Sequence, residues 1–191
     1  MPADGGLFIL KALMRVIAGI CRGRQLRGGH GPQFRPTAQI VKGSIFDTLY
    51  GLVQDAAVLD LFAGSGVMGL EAISRGALHA TCVERDGRKR SVILKNLELA
   101  RGNASLIIAP VERYVARCRD TFDLIFMDPP FSYRFKADLI ERVARRSMLT
   151  ELGRLIIHAP KAETLPDEAA GLTCVDERRY GGSMVRFYAA Q

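Results

Sequence analysis

The run Val58–Phe62 is apolar except for Asp60, and it leads straight into Ala63-Gly64-Ser65-Gly66. A run that short and that apolar fits a strand buried on both faces. The glycines allow a tight turn, and the helical pattern Val67–Arg75 follows at once. A second apolar run, Ala80–Glu84, then ends in an acid. Parallel strands need a crossover between them, and a helix is the usual one. The unit therefore predicts strand, turn, helix, strand, with both strands pointing the same way.

The rest of the chain repeats the alternation. Gly87–Ala100 reads as a helix with Ile93, Leu97 and Ala100 on one face. Leu106–Ala109 and Phe122–Asp128 read as strands. Phe135–Ser147 is a helix with Leu139, Ile140, Val143 and Ala144 inward and Arg142, Arg145 and Arg146 outward. Arg154–His158 is a fifth strand. Leu172–Tyr180 and Met184–Tyr188 flank Gly181-Gly182 and predict a closing antiparallel hairpin. With the right-handed crossover rule this gives an α/β fold, a doubly wound, mostly parallel sheet with helices on both faces. The chain has 191 residues, 48% hydrophobic and 25% charged, enough for one self-sufficient core.

The N-terminal part differs. Net charge is +7, and residues 1–54 carry seven Lys/Arg against two Asp/Glu. A small basic segment on a nearly neutral body suggests a polyanion-binding arm. Arg15–Ala18 and Arg22–Leu26 flank Gly19 and predict a hairpin. Gly28-Gly29-His30-Gly31-Pro32 reads as a loop. Thr37 is a fair N-cap for a helix to about Tyr50, with Val41, Ile45, Leu49 and Leu52 as its apolar stripe. Met14 offers an alternative start, which would make residues 1–13 a leader outside the fold. The expected organisation is 1–13 leader, 14–54 basic extension and 55–191 ligand-binding domain.

Cys21, Cys82, Cys118 and Cys174 form no metal-ligand spacing, so no metal site is expected. Buried reduced thiols in a cytoplasmic protein are the simpler reading. No apolar run reaches the roughly 18 residues of a membrane span. Leu7–Ile20 is broken by Lys11 and Arg15.

Gly64-Ser65-Gly66-Val67-Met68-Gly69 also matches the pattern of dinucleotide-binding turns. Charge separates the ligands. A dinucleotide brings a pyrophosphate to this turn, and Asp60 would repel it. S-adenosylmethionine carries an ammonium and a sulfonium instead, and Asp60 would attract both. Asp60, Phe62, Ala63, Gly64, Ser65, Gly66 and Glu84 are thus the candidate cofactor residues, with Glu84 placed to accept hydrogen bonds from ribose hydroxyls.

Asp128-Pro129-Pro130-Phe131 follows the fourth strand, which neighbours the first in such a sheet. This puts an acid, a stiff acceptor-rich turn and an aromatic beside the methyl donor. An exocyclic amine on a nucleobase is a weak nucleophile because its lone pair is delocalised. Acceptors on both its hydrogens localise that pair. The Asp128 carboxylate and Pro129 carbonyl are the candidate acceptors, Pro130 stiffens the turn, and Phe131 offers a stacking face. No cysteine nucleophile lies in the motif, which argues against methylation of pyrimidine carbon 5.

Asp60–Gly66 and Asp128–Phe131 resemble motifs I and IV of class I S-adenosylmethionine-dependent amino methyltransferases. Arg15-Val16-Ile17-Ala18-Gly19, Arg22-Gly23-Arg24-Gln25-Leu26, Arg35-Pro36-Thr37 with Ile45-Phe46, and Leu70–Ala77 narrow the resemblance. Together they resemble the bacterial small-subunit ribosomal RNA guanine-N2 methyltransferase family, over about residues 14–190. The resemblance implies a Rossmann-like methyltransferase acting on ribosomal RNA in the small subunit or its assembly intermediate. It also implies RNA contacts at Arg22, Arg24, Arg35 and Lys42. A monomer is expected. Two departures stand out: Ala109-Pro110 replaces an acid that family members often carry after the third strand, and Gln39–Gly43 lacks the usual helix charges. The motif alone leaves other readings open. These are an adenine-N6 or cytosine-N4 methyltransferase on DNA or RNA, a non-catalytic nucleic-acid-binding module, and a nicotinamide oxidoreductase.

Overall fold

The computed structural model describes residues 14–28 and 36–190. Eight strands form one sheet in the order β3-β2-β1-β4-β5-β8-β7-β6. They are β1 (Ala57–Asp60), β2 (His79–Glu84), β3 (Ala104–Ile108), β4 (Phe122–Met127), β5 (Leu149–Pro160), β6 (Glu168–Ala169), β7 (Leu172–Tyr180) and β8 (Ser183–Ala190). Strands β1 to β5 are parallel, and β6 to β8 are antiparallel at one edge. The doubly wound sheet and its terminal hairpin are as the alternation predicts.

Among the described residues, five α-helices cover the sheet: α1 (Pro36–Thr48), α2 (Val67–Ser74), α3 (Arg90–Leu97), α4 (Val111–Arg117) and α5 (Lys136–Arg145). Two apolar cores result. One joins Val16, Leu26, Val41, Ile45, Phe46 and Leu49 to α2, α3 and one sheet face. The other packs α4 and α5 on the opposite face. Residues of the 14–54 extension therefore share a core with the sheet, and Phe46 meets Phe126 of β4 at 5.4 Å between ring centroids.

Several boundaries depart from the sequence reading. The helix expected over Gly87–Ala100 is shorter at each end, where 3₁₀ turns cover Gly87–Lys89 and Glu98–Ala100. Its face of Ile93, Leu97 and Ala100 is buried as expected. Strand β5 is longer than Arg154–His158 because it pairs with β4 on one side and β8 on the other. Leu52 does not extend the α1 stripe; the helix stops at Thr48 and Leu52 lies in the turn beyond. Helix α4 and the edge strand β6 have no counterpart in the sequence reading.

The N-terminal hairpin is real but short. Val16 N–H bonds the Arg24 carbonyl at 3.1 Å and Leu26 N–H the Met14 carbonyl at 2.9 Å. Ladder pairing is limited to Arg15↔Gln25. The reason is that the next amides turn to α2. Ile17 and Ala18 N–H donate to the two Glu71 carboxylate oxygens, at 2.8 and 3.0 Å. Cys21 N–H donates to Ser74 Oγ at 2.9 Å, and Ser74 Oγ–H donates to the Ala18 carbonyl. Gly19 fits this contact alone: its φ is +80°, and a Cβ would lie 1.6 Å from the Ser74 carbonyl oxygen.

Candidate active site

The strand order reverses between β1 and β4, and sheets of this kind bind ligands outside the strands' carboxyl ends at such a switch point. Asp60 ends β1 and pairs in register with Phe126. Asp128 stands two residues beyond Phe126, in the loop leaving β4. The glycine turn and the Asp128 loop meet directly: Phe62 and Tyr133 contact edge to face at 5.3 Å.

The turn from β1 into α2 is built by backbone bonds. Ala63 N–H donates to the Val83 carbonyl at 2.9 Å, and Gly66 N–H to the Ala63 carbonyl at 2.7 Å. Gly66 begins α2 with φ +80°, and a Cβ there would come within 3.2 Å of Ile93 Cγ2. Gly64 N–H donates to Glu84 Oε2 at 2.9 Å, tying the turn to the end of β2. Ser65 is buried; its hydroxyl donates to Met14 Sδ, and its carbonyl accepts from Asn96 Nδ2 at 2.8 Å.

Asp60 is fully buried. Its Oδ1 accepts the Phe62 N–H at 3.2 Å, while Oδ2 has no partner. Burial pushes its carboxyl up to about 7, with Asp128 and Glu84 adding to the rise. A buried carboxylate with one oxygen left unpaired, its charge opposed by two more acids, favours a cation and disfavours a phosphate. That fits the ammonium-and-sulfonium charge of S-adenosylmethionine.

Glu84 is nearly buried and already holds three donors. These are Gly64 N–H and Lys89 Nζ on Oε2, and Asp86 N–H on Oε1 at 2.9 Å. A carboxylate has about four acceptor positions. Room remains for one added donor rather than two, unless Lys89, which is half exposed, moves aside.

Asp128 presents a side chain 54% exposed, and Phe131, three residues on, is 52% exposed. Asp128 Oδ1 lies 2.9 Å from His158 Nδ1 on β5. Lys136, almost fully buried, holds the loop from behind: its Nζ reaches the carbonyls of Phe131 and Tyr133 and the Glu163 carboxylate. Tyr133 O–H donates to Glu112 Oε1 at 2.8 Å. His158, Tyr133 and Lys136 escaped the sequence reading. Each is a single residue whose partner lies elsewhere in the chain. In the loop after β3, Pro110 is the residue preceding α4 and makes no side-chain cap to it.

The four basic positions separate. Arg22 and Arg24 are exposed. Arg35 lies outside the described residues. Lys42 is a correction: it is 5% exposed, with Nζ 3.1 Å from Glu71 Oε2 and 2.8 Å from the Arg15 carbonyl. A lysine so held offers no charge to a phosphate. It serves instead to neutralise the buried Glu71.

Fold and site together define a Rossmann-like methyltransferase. The chain belongs to the family described as Conserved hypothetical protein 95, whose model matches residues 14–189. Ribosomal RNA small subunit methyltransferase D of Escherichia coli K12 is 32% identical over 92% of this chain and 89% of its own length. YlbH of Bacillus subtilis 168, described as a candidate rRNA methyltransferase, is 35% identical over 92% of this chain and 98% of its own. The solved structure of yhhF from Escherichia coli, a candidate methyltransferase, superposes with a TM-score of 0.81 at 31% identity. It covers 94% of this chain and 99% of that one.

Proposed function

We propose that this chain is a methyltransferase that uses S-adenosylmethionine to methylate the exocyclic N2 amine of a guanine in small-subunit ribosomal RNA. The observation that carries the chemistry is the exposed Asp128 carboxylate in an acceptor-rich turn, set across the switch point from a glycine turn whose buried acid leaves one oxygen unpaired. The substrate class rests on kinship with ribosomal RNA small subunit methyltransferase D of Escherichia coli.

S-adenosylmethionine, when bound, supplies an electrophilic methyl carbon on its sulfonium. Asp60 provides the negative charge that holds the cofactor's cationic end. Gly64 and Ser65 shape the turn against it, and Glu84 fixes the turn while offering its remaining acceptor position to a ribose hydroxyl. On the other wall, Asp128 and the Pro129 carbonyl accept the two amine hydrogens and localise the nitrogen lone pair. Those bonds strengthen as positive charge grows on nitrogen, so they favour the transition state over the bound substrate. Phe131 stacks the base, and Pro130 keeps the turn from yielding an N–H donor. The rest of the gain is alignment for in-line transfer.

Arg22 and Arg24 present the RNA-facing charge of the 14–54 extension, and Arg35 is a further RNA contact on the sequence resemblance alone. A ribosomal substrate implies a cytoplasmic protein, acting as a monomer on the small subunit or its assembly intermediate. Among the described residues, no helix is long and apolar enough to cross a membrane.

The experiment is transfer of labelled methyl groups to small subunits lacking the modification, to naked ribosomal RNA and to DNA. Label in ribosomal RNA is the expected result. Label in DNA alone would replace this reading with adenine or cytosine methylation of DNA.

A further inference from the structure

His158 sits near the end of β5, with a side chain 18% exposed. Three facts about its ring stand together. Nδ1 is 2.9 Å from Asp128 Oδ1. The ring meets Phe131 edge to face, with centroids 5.5 Å apart. Nε2 is buried and has no hydrogen-bond partner. Across the ladder on β8 its register partner is Val185, which offers no polar group.

A carboxylate oxygen can only accept, so the shared hydrogen belongs to Nδ1 and His158 donates.

We propose that His158 is a positioning residue for the methyl transfer: its Nδ1–H fixes the Asp128 carboxylate while its ring braces Phe131. This rests on the methyl-transfer reading given above. The terminal torsion of an aspartate is soft. A half-exposed Asp128 left to itself would spread over many orientations. Anchoring Oδ1 leaves Oδ2 as the oxygen that faces the target amine. The same imidazole borders the ring on which the base stacks, so one side chain sets the distance between the acceptor and the stacking face. His158 touches neither cofactor nor amine in this scheme. It acts through Asp128 and Phe131.

The test compares wild type, His158→Leu and His158→Asn on small subunits lacking the modification. Asparagine Nδ2 stands close to where histidine Nδ1 stood, so it can still donate to Asp128; leucine cannot. His158→Leu should bind S-adenosylmethionine with wild-type affinity in calorimetry and keep its KM for RNA. Its kcat should fall by about tenfold to a hundredfold, the scale set by a small misplacement of a reacting group. His158→Asn should recover most of that loss. A His158→Leu enzyme with wild-type kcat would overturn the proposal. So would equal losses in both variants, because a role in packing alone does not distinguish a donor from a methyl group. If wild type transfers no methyl group to any RNA, the methyl-transfer reading fails first and this assignment with it. An active wild type with an unaffected leucine variant refutes His158 alone.

Discussion

The Lys42 ammonium lies 3.1 Å from the Glu71 carboxylate, and both side chains are shielded from water. Glu71 also accepts the Ile17 and Ala18 amides and pairs with Arg75 Nε at 2.9 Å. One carboxylate thus gathers the hairpin, α1 and α2. Burial pulls the Lys42 ammonium below its ordinary range, while Glu71 pulls the other way. Removing the carboxylate strands a buried lysine and two amides. Glu71→Ala should cost about 3 kcal/mol or more, the usual scale for breaking a buried pair from one side. Lys42→Met leaves Glu71 with three donors and should cost less. Chemical denaturation of both variants checks the order, and a more damaging Lys42→Met would contradict it.

Asp60 carries the clearest pH signature. Its folded-state carboxyl sits near 7, well above the usual value near 3.8. The folded protein therefore binds this proton more tightly than the unfolded chain does. The resulting stability is complete below about pH 4 and is lost as pH rises through about 7. Asp60→Asn escapes that loss, so its Tm should gain on wild type between pH 5 and pH 8. A constant difference across that range would contradict the assignment.

The same group should tune the cofactor. Ionised Asp60 attracts a cation and protonated Asp60 does not. Affinity for S-adenosylmethionine should tighten from pH 5.5 to pH 7.5, by no more than about tenfold per pH unit. Asp60→Asn should bind weakly and lose this dependence. Calorimetry at three pH values decides it; a flat wild-type profile would remove Asp60 from the cofactor's charge balance.

Gly64 has φ +59° and no bulky neighbour. A valine there is strained by the backbone, at the turn proposed to hold the cofactor. Gly64→Val should abolish cofactor binding while the sheet stays folded by circular dichroism. Retained affinity would move the pocket elsewhere.

Arg22 and Arg24 are exposed on the hairpin. Binding of RNA should weaken steeply with salt. The double replacement of Arg22 and Arg24 by Ala should reduce that slope by up to about two, one unit for each phosphate left without its arginine. An unchanged slope would move the RNA to another face.

The order of strands and helices was legible because each element carries its own period. Leu139, Ile140 and Val143 fall on one face of α5 whatever lies around them. Helix α4 was not: only Val111 and Val115 are buried, too few to mark a period in a seven-residue helix. The glycine turn between β1 and α2 could be read because Asp60, Gly64 and Gly66 are neighbours in sequence. Lys42 was misread as a phosphate ligand because nothing local reveals Glu71 on α2. His158 was invisible for the same reason: its tie to Asp128 joins positions 30 residues apart. Local grammar shows elements and contiguous motifs, while buried polar pairs exist only once the sheet has brought distant strands together.

The most direct test is nucleoside analysis of ribosomal RNA from small subunits incubated with S-adenosylmethionine and either wild type or Asp128→Ala. The account predicts N2-methylguanosine with wild type. It predicts almost none with Asp128→Ala, although that variant still binds the cofactor. A different methylated nucleoside, or undiminished N2-methylguanosine from Asp128→Ala, would contradict it.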